Sequence, residues 1–79
     1  MAWIASIERK GGHGKLQPTE VIAYVKVFQT DDRTSIVQID TYGSSEREMP
    51  NKQSQTLQLG RETAKQLYDL LNETYNFSK

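Results

Sequence analysis

The chain has no cysteine, one histidine and two prolines in 79 residues. Without cysteine, disulfides and thiolate metal sites are excluded. One histidine makes a zinc centre untenable, so no metal and no cofactor is expected. No apolar run approaches the roughly 20 residues that a membrane helix needs. An excess of charge is missing too: ten basic and ten acidic side chains balance to zero. That balance counts against nonspecific duplex DNA binding, which draws on a net positive field, but it is compatible with a local basic stripe. The opening residues Met1 to Lys10 lack the charge-first, apolar-next order of a signal peptide. A cytoplasmic protein that does not engage a membrane is expected.

What is present suits one small domain over residues 1–79. A chain of this length buries only about 60–65% of its unfolded surface, so its core is marginal unless something doubles it. With disulfides and metals excluded, a second copy is the expected staple. The residues predict an α+β domain: a four-stranded antiparallel sheet followed by one C-terminal helix. Residues 2–9 mix β formers with polar residues and are expected as the first strand. Residues 10–18 contain Gly11-Gly12-His13-Gly14 and Pro18, which oppose any regular element. Residues 20–29 are rich in valine, isoleucine and aromatics, which favours a strand over the alternative of a helix opened by Pro18-Thr19-Glu20. Residues 30–34 form a polar turn, because aspartate side chains compete for local backbone donors. Residues 35–42 resume strand character, and the short connection predicts an antiparallel hairpin. Residues 43–53 are a hydrophilic loop, and 54–59 alternate as a fourth strand. Gly60 breaks that strand and stands at the N-cap of a helix over 61–76.

On a helical wheel, Ala64, Leu67, Tyr68, Leu70, Leu71, Thr74, Tyr75 and Phe77 share one side. That side spans roughly 180°, wider than the ~100° stripe that one sheet contact requires. A two-fold partner would cover the surplus, with Leu67, Leu70, Leu71, Thr74 and Phe77 as its expected interface. The competing reading is a helix sunk into its own curved sheet.

Strand alternation sorts the remaining residues. Val21, Ala23, Val25, Val27, Val37, Ile39, Leu57 and Leu59 are expected on the apolar side. Tyr24, Lys26, Phe28, Gln38, Tyr42, Thr56 and Gln58 collect on the other. Rings among amides and cations are what single-strand binders use, since bases stack on the rings at about 1–3 kcal/mol each and cations follow the phosphates. Aromatics on a β face more often serve packing, so burial under a loop, a first strand or a partner is the alternative.

Other motifs fail on chemistry. Gly11-Gly12-His13-Gly14-Lys15 resembles a phosphate loop, but that motif needs a glycine where Arg9 stands and a hydroxyl where Leu16 stands. The loop cations Arg9, Lys10, His13 and Lys15 still give it local positive charge. His13 lies in a glycine-rich segment that cannot hold a catalytic base rigidly. The pairs Asp31/Asp32 and Glu46/Glu48 sit in hydrophilic loops, without the burial that raises a carboxyl for acid–base work and without enough ligands for calcium. No catalytic residue is identified and no enzyme is expected. Lys65 and Asp69 form an i,i+4 pair worth a few tenths of a kcal/mol.

The stretches Tyr-Val-Lys-Val-Phe (24–28) and Ile-Val-Gln-Ile-Asp-Thr-Tyr (36–42) are followed by a polar loop with Met49-Pro50-Asn51-Lys52. Then come Gln-Thr-Leu-Gln-Leu (55–59) and Glu-Thr-Ala-Lys-Gln-Leu-Tyr-Asp-Leu-Leu (62–71). This layout resembles the positive cofactor four family of transcriptional coactivators, over about two-thirds of the chain. The resemblance implies a strongly curved antiparallel sheet, a helix packed across it, a homodimer, and single-stranded DNA along the β surface. By position it implies contacts from Lys26, Phe28, Tyr42 and Lys52. With the other surface rings and cations, the expected nucleic-acid-binding residues are Tyr24, Lys26, Phe28, Tyr42, Lys52, Arg9, Lys10, Lys15 and Arg47. The chain departs from the family at Asp40, where an arginine is usual, at Gly43, where a tryptophan often follows the tyrosine, and at Ser54-Gln55, where a basic residue and glycine enter the last strand. The expected function is a homodimeric binder of single-stranded DNA or RNA, an accessory factor in transcription or DNA metabolism. The alternative is a protein-interaction module on the same fold.

Overall fold

The computed structural model describes residues 1–42 and 53–78. Four strands, β1 (Ala2–Ile4), β2 (Ala23–Gln29), β3 (Ser35–Tyr42) and β4 (Gln53–Leu59), precede one helix, α1 (Arg61–Tyr75). They form one sheet in the order β1-β4-β3-β2. The α+β class stands as expected, with one correction to the sheet. β2, β3 and β4 are antiparallel neighbours, but β1 runs parallel to β4. The sheet is therefore mixed.

The β2–β3 hairpin closes as its turn chemistry directs. The Thr30 N–H donates to the Thr34 carbonyl and the Arg33 N–H to the Thr30 carbonyl, both at 2.9 Å. Arg33 takes the left-handed conformation, φ 69°. The Asp32 carboxylate accepts from the Thr30 hydroxyl and from the Thr34 N–H. Those donors favour its charged form and hold its pKa below the ordinary aspartate range.

β1 is shorter than the expected 2–9, because the chain leaves the sheet after Ile4 to run along α1. The Thr63 hydroxyl donates to the Ile4 carbonyl at 2.9 Å. The Ile7 N–H donates to Gln66 Oε1 at 2.9 Å, and Arg9 pairs with Glu73 at 3.0 Å. Thr63 is buried, so its bond matters more than the exposed ion pair. The helix starts at Gly60 and ends at Asn76, whose left-handed backbone (φ 62°) lets its N–H donate to the Asn72 carbonyl.

Alternation puts two apolar rows across one sheet face. Leu57, Ile39 and Val25 are mutual neighbours in register, and so are Leu59, Val37 and Val27. The helix rests at the Leu59 end of this face, where Leu59 is buried. A cleft of about 650 Å³ opens there between strand residues Val37 and Leu59 and helix residues Ala64, Gln66 and Tyr68. Beyond it the face is open: Val25 is 61% exposed and Val27 65%. On the helix, Leu67 and Leu70 are half-buried, while Tyr68, Leu71 and Tyr75 remain exposed. The chain is correspondingly extended. Its radius of gyration is 15.0 Å, against about 12 Å for a compact domain of this length. Its accessible surface is 7288 Å², against about 4,900 Å² for a compact monomer of this mass.

The Thr63–Ile4 bond ties helix to sheet edge. Thr63→Val keeps the shape and strands the Ile4 carbonyl. We expect a loss of about 1–3 kcal/mol in urea unfolding; an unchanged midpoint would show that the bond contributes nothing.

Candidate nucleic-acid interface

The second sheet face carries the candidate site. In register, Tyr24 on β2 stands beside Asp40 on β3, which stands beside Thr56 on β4. One step along, Lys26, Gln38, Gln58 and Trp3 form a row across all four strands. Phe28 and Ile36 form the next pair. Neighbouring strands lie about 4.8 Å apart, so the backbones of the four-strand row span roughly 14 Å.

The buried residues of this face are Ile36, which sequence alternation had turned outward, and two polar ones. Asp40 is 5% exposed and Thr56 2%. The Thr56 hydroxyl donates to Asp40 Oδ1 at 2.8 Å, and Gln38 Nε2 donates to both Asp40 oxygens at 3.0 and 3.2 Å. Gln58 Nε2 donates to Gln38 Oε1 at 2.9 Å. A buried carboxylate is tolerated only when its lone pairs are satisfied in this way.

Aromatic side chains flank the polar strip. The rings of Tyr24 and Tyr42 meet edge to face, centroids 5.4 Å apart, an arrangement worth about 0.5–1.5 kcal/mol beyond burial. The pair fixes one wall while leaving Tyr24 59% exposed. The Trp3 ring lies over Gly60: a Cβ built there would fall 2.9 Å from its Cη2 carbon. A side chain at the helix-capping position would therefore have to move the indole above it. Trp3 itself stays more than half exposed.

The structure gathers Tyr24, Lys26, Phe28 and Tyr42 on this one face, as the alternation predicted. Arg9 is not among them, since its guanidinium pairs with Glu73 on the helix. Lys10 and Lys15 are exposed in the segment between β1 and β2, which has no regular structure. Lys52 and Arg47 lie outside the described residues. Of the expected dimer residues, Leu67 and Leu70 are half-buried against the chain's own elements, whereas Leu71, Thr74 and Phe77 are exposed. The Phe77 ring stacks on Tyr75 at 5.7 Å. Three participants were not singled out from sequence. Trp3 joins the site only through the parallel β1–β4 pairing, for which no local signal exists. Gln38 and Gln58 were legible as outward residues, but not as a bonded chain. Among the described residues no group of acidic, histidine or cysteine side chains could hold a metal ion. No helix there is long and apolar enough to cross a membrane.

No protein-family model, no curated protein and no solved structure matches the chain.

The Trp3–Gly60 contact has an optical readout, because Trp3 is the only tryptophan. Gly60→Ala should displace the indole and shift its emission to longer wavelength while the far-ultraviolet circular dichroism holds. Unchanged emission would show that the ring does not sit on Gly60.

Proposed function

We propose that the chain is a homodimer that binds single-stranded nucleic acid along the polar and aromatic face of its sheet, as an accessory factor in transcription or DNA metabolism. The observation that carries this reading is the transverse row of Trp3, Gln58, Gln38 and Lys26, with the exposed Tyr24 ring beside it. Rings supply stacking platforms that accept any base, amides supply edges that can bond to bases, and the lysine supplies a counter-charge for phosphate. The resemblance of residues 24–28, 36–42, 55–59 and 62–71 to the positive cofactor four family supports the same reading.

A second copy is supported by the open apolar face, where Val25 and Val27 stand exposed. The exposed valines of β2 and the exposed Leu71 and Tyr75 of α1 are complementary apolar surfaces on one molecule, as a two-fold interface needs. With that side taken, the polar face would remain on the outside of both copies.

Asp40 favours a second reading, a protein-interaction module. Asp40 stands where the positive cofactor four family usually has an arginine, so the face lacks a phosphate partner there, a loss that a protein partner would not feel.

Fluorescence-polarisation titration with labelled single-stranded and duplex oligonucleotides separates the two. Single strands should bind with length dependence, ahead of duplex, and weaken steeply with added salt. Lys26→Ala combined with Phe28→Ala should cost at least about fivefold in affinity without unfolding. No binding at low salt would remove the nucleic-acid reading in favour of the protein module.

A further inference from the structure

The hydrogen bonds on the polar face have a direction, and that direction has a consequence. A carboxylate only accepts, so Asp40 forces Gln38 to turn its nitrogen toward it. The Gln38 oxygen is thereby aimed at β4, and Gln58 must present its own nitrogen to it. The Gln58 amide is thus held at its nitrogen by a chain that starts at the buried Asp40 carboxylate. Its carbonyl oxygen and its second N–H have no partner among the described residues, and the side chain is only half-buried. On the β1 side of Gln58 stands the exposed Trp3 ring.

A solvated glutamine turns its amide freely and bonds whatever it meets. A locked one offers acceptor and donor in a fixed order beside a stacking surface. That is the pattern which pairs bidentately with the amino group and ring nitrogen of adenine. Guanine presents two acceptors on the same edge, one of which would face the Gln58 oxygen.

We propose that Gln58, oriented through Gln38 by Asp40, is a base-reading residue that gives this face a preference for adenine in single strands, with the base stacked on Trp3. The proposal rests on the nucleic-acid reading above and adds selectivity to it. It also accounts for Asp40, which is unfavourable to a sequence-blind phosphate track and serves here as a positioning residue.

The test compares short single strands of dA, dT and dC, and a dT strand carrying one central dA or dG, on the full-length protein. Polarisation gives affinity and Trp3 emission reports stacking. We expect adenine to be preferred by about fivefold or more, with Trp3 quenched on binding. Gln58→Leu should lower affinity for the adenine strands more than for dT, so that the ratio between bases falls to about one. Gln38→Leu, which cuts the relay without touching the base, should lower the preference in the same direction. Asp40→Asn should do likewise; a merely structural role for Asp40 would not move the ratio between bases. Equal affinity for all strands, or a Gln58→Leu variant that keeps the preference, would overturn the base-reading role and leave general binding standing. No binding to any strand would overturn the nucleic-acid reading itself, and base reading with it.

Discussion

Val37 opposite Leu59 and Ile39 opposite Leu57 set the phase of the whole molecule. Once those pairs form, every other residue of β3 and β4 is committed to the opposite face, because a slip by one residue would exchange the two sides. The hairpin turn carries the phase to β2, where Val25 and Val27 join the apolar side while Tyr24, Lys26 and Phe28 join the polar one. The two faces of the sheet are therefore consequences of one register. One face is chemically informative because the other has taken the aliphatic side chains.

That division leaves the molecule unbalanced. The side chains buried most completely include Asp40, Thr56 and Thr63, while aliphatic residues meant for a core stand in the open. One helix touching one end of the apolar face cannot cover two rows of aliphatics. Burying a valine or leucine side chain stabilises by about 1.5–3 kcal/mol, so the uncovered rows represent a driving force that a single copy leaves unspent. The helix shows the same asymmetry: Leu67 and Leu70 on its wide apolar side are half-buried, while Tyr68, Leu71 and Tyr75 stay exposed.

Much of this was legible in the residues. β3 was expected at 35–42 and is found at Ser35–Tyr42, and the helix ends within one residue of its expected bounds. Alternation alone assigned Leu57, Leu59, Val37 and Ile39 to one face, and the register agrees. What was not legible is non-local. Residues 5–9 have strand-forming character, yet bonds from Ile7 and Arg9 to a helix some sixty residues later draw them off the sheet. The parallel direction of β1 depends on that same crossing, and with it the arrival of Trp3 beside Gln58. The relay from Asp40 to Gln58 was hidden for another reason: each member reads as an ordinary polar strand residue, and only the register makes neighbours of them.

We propose that a second copy covers the open apolar face, with Trp3 and Tyr24 exposed on the other face for a ligand. Size-exclusion chromatography with light scattering tests this most directly, on the chain and on a Val27→Glu variant. The account predicts twice the 9.1 kDa chain mass for the parent, and a monomer or an unfolded chain for the variant. A parent that runs as a monomer and unfolds cooperatively would contradict it.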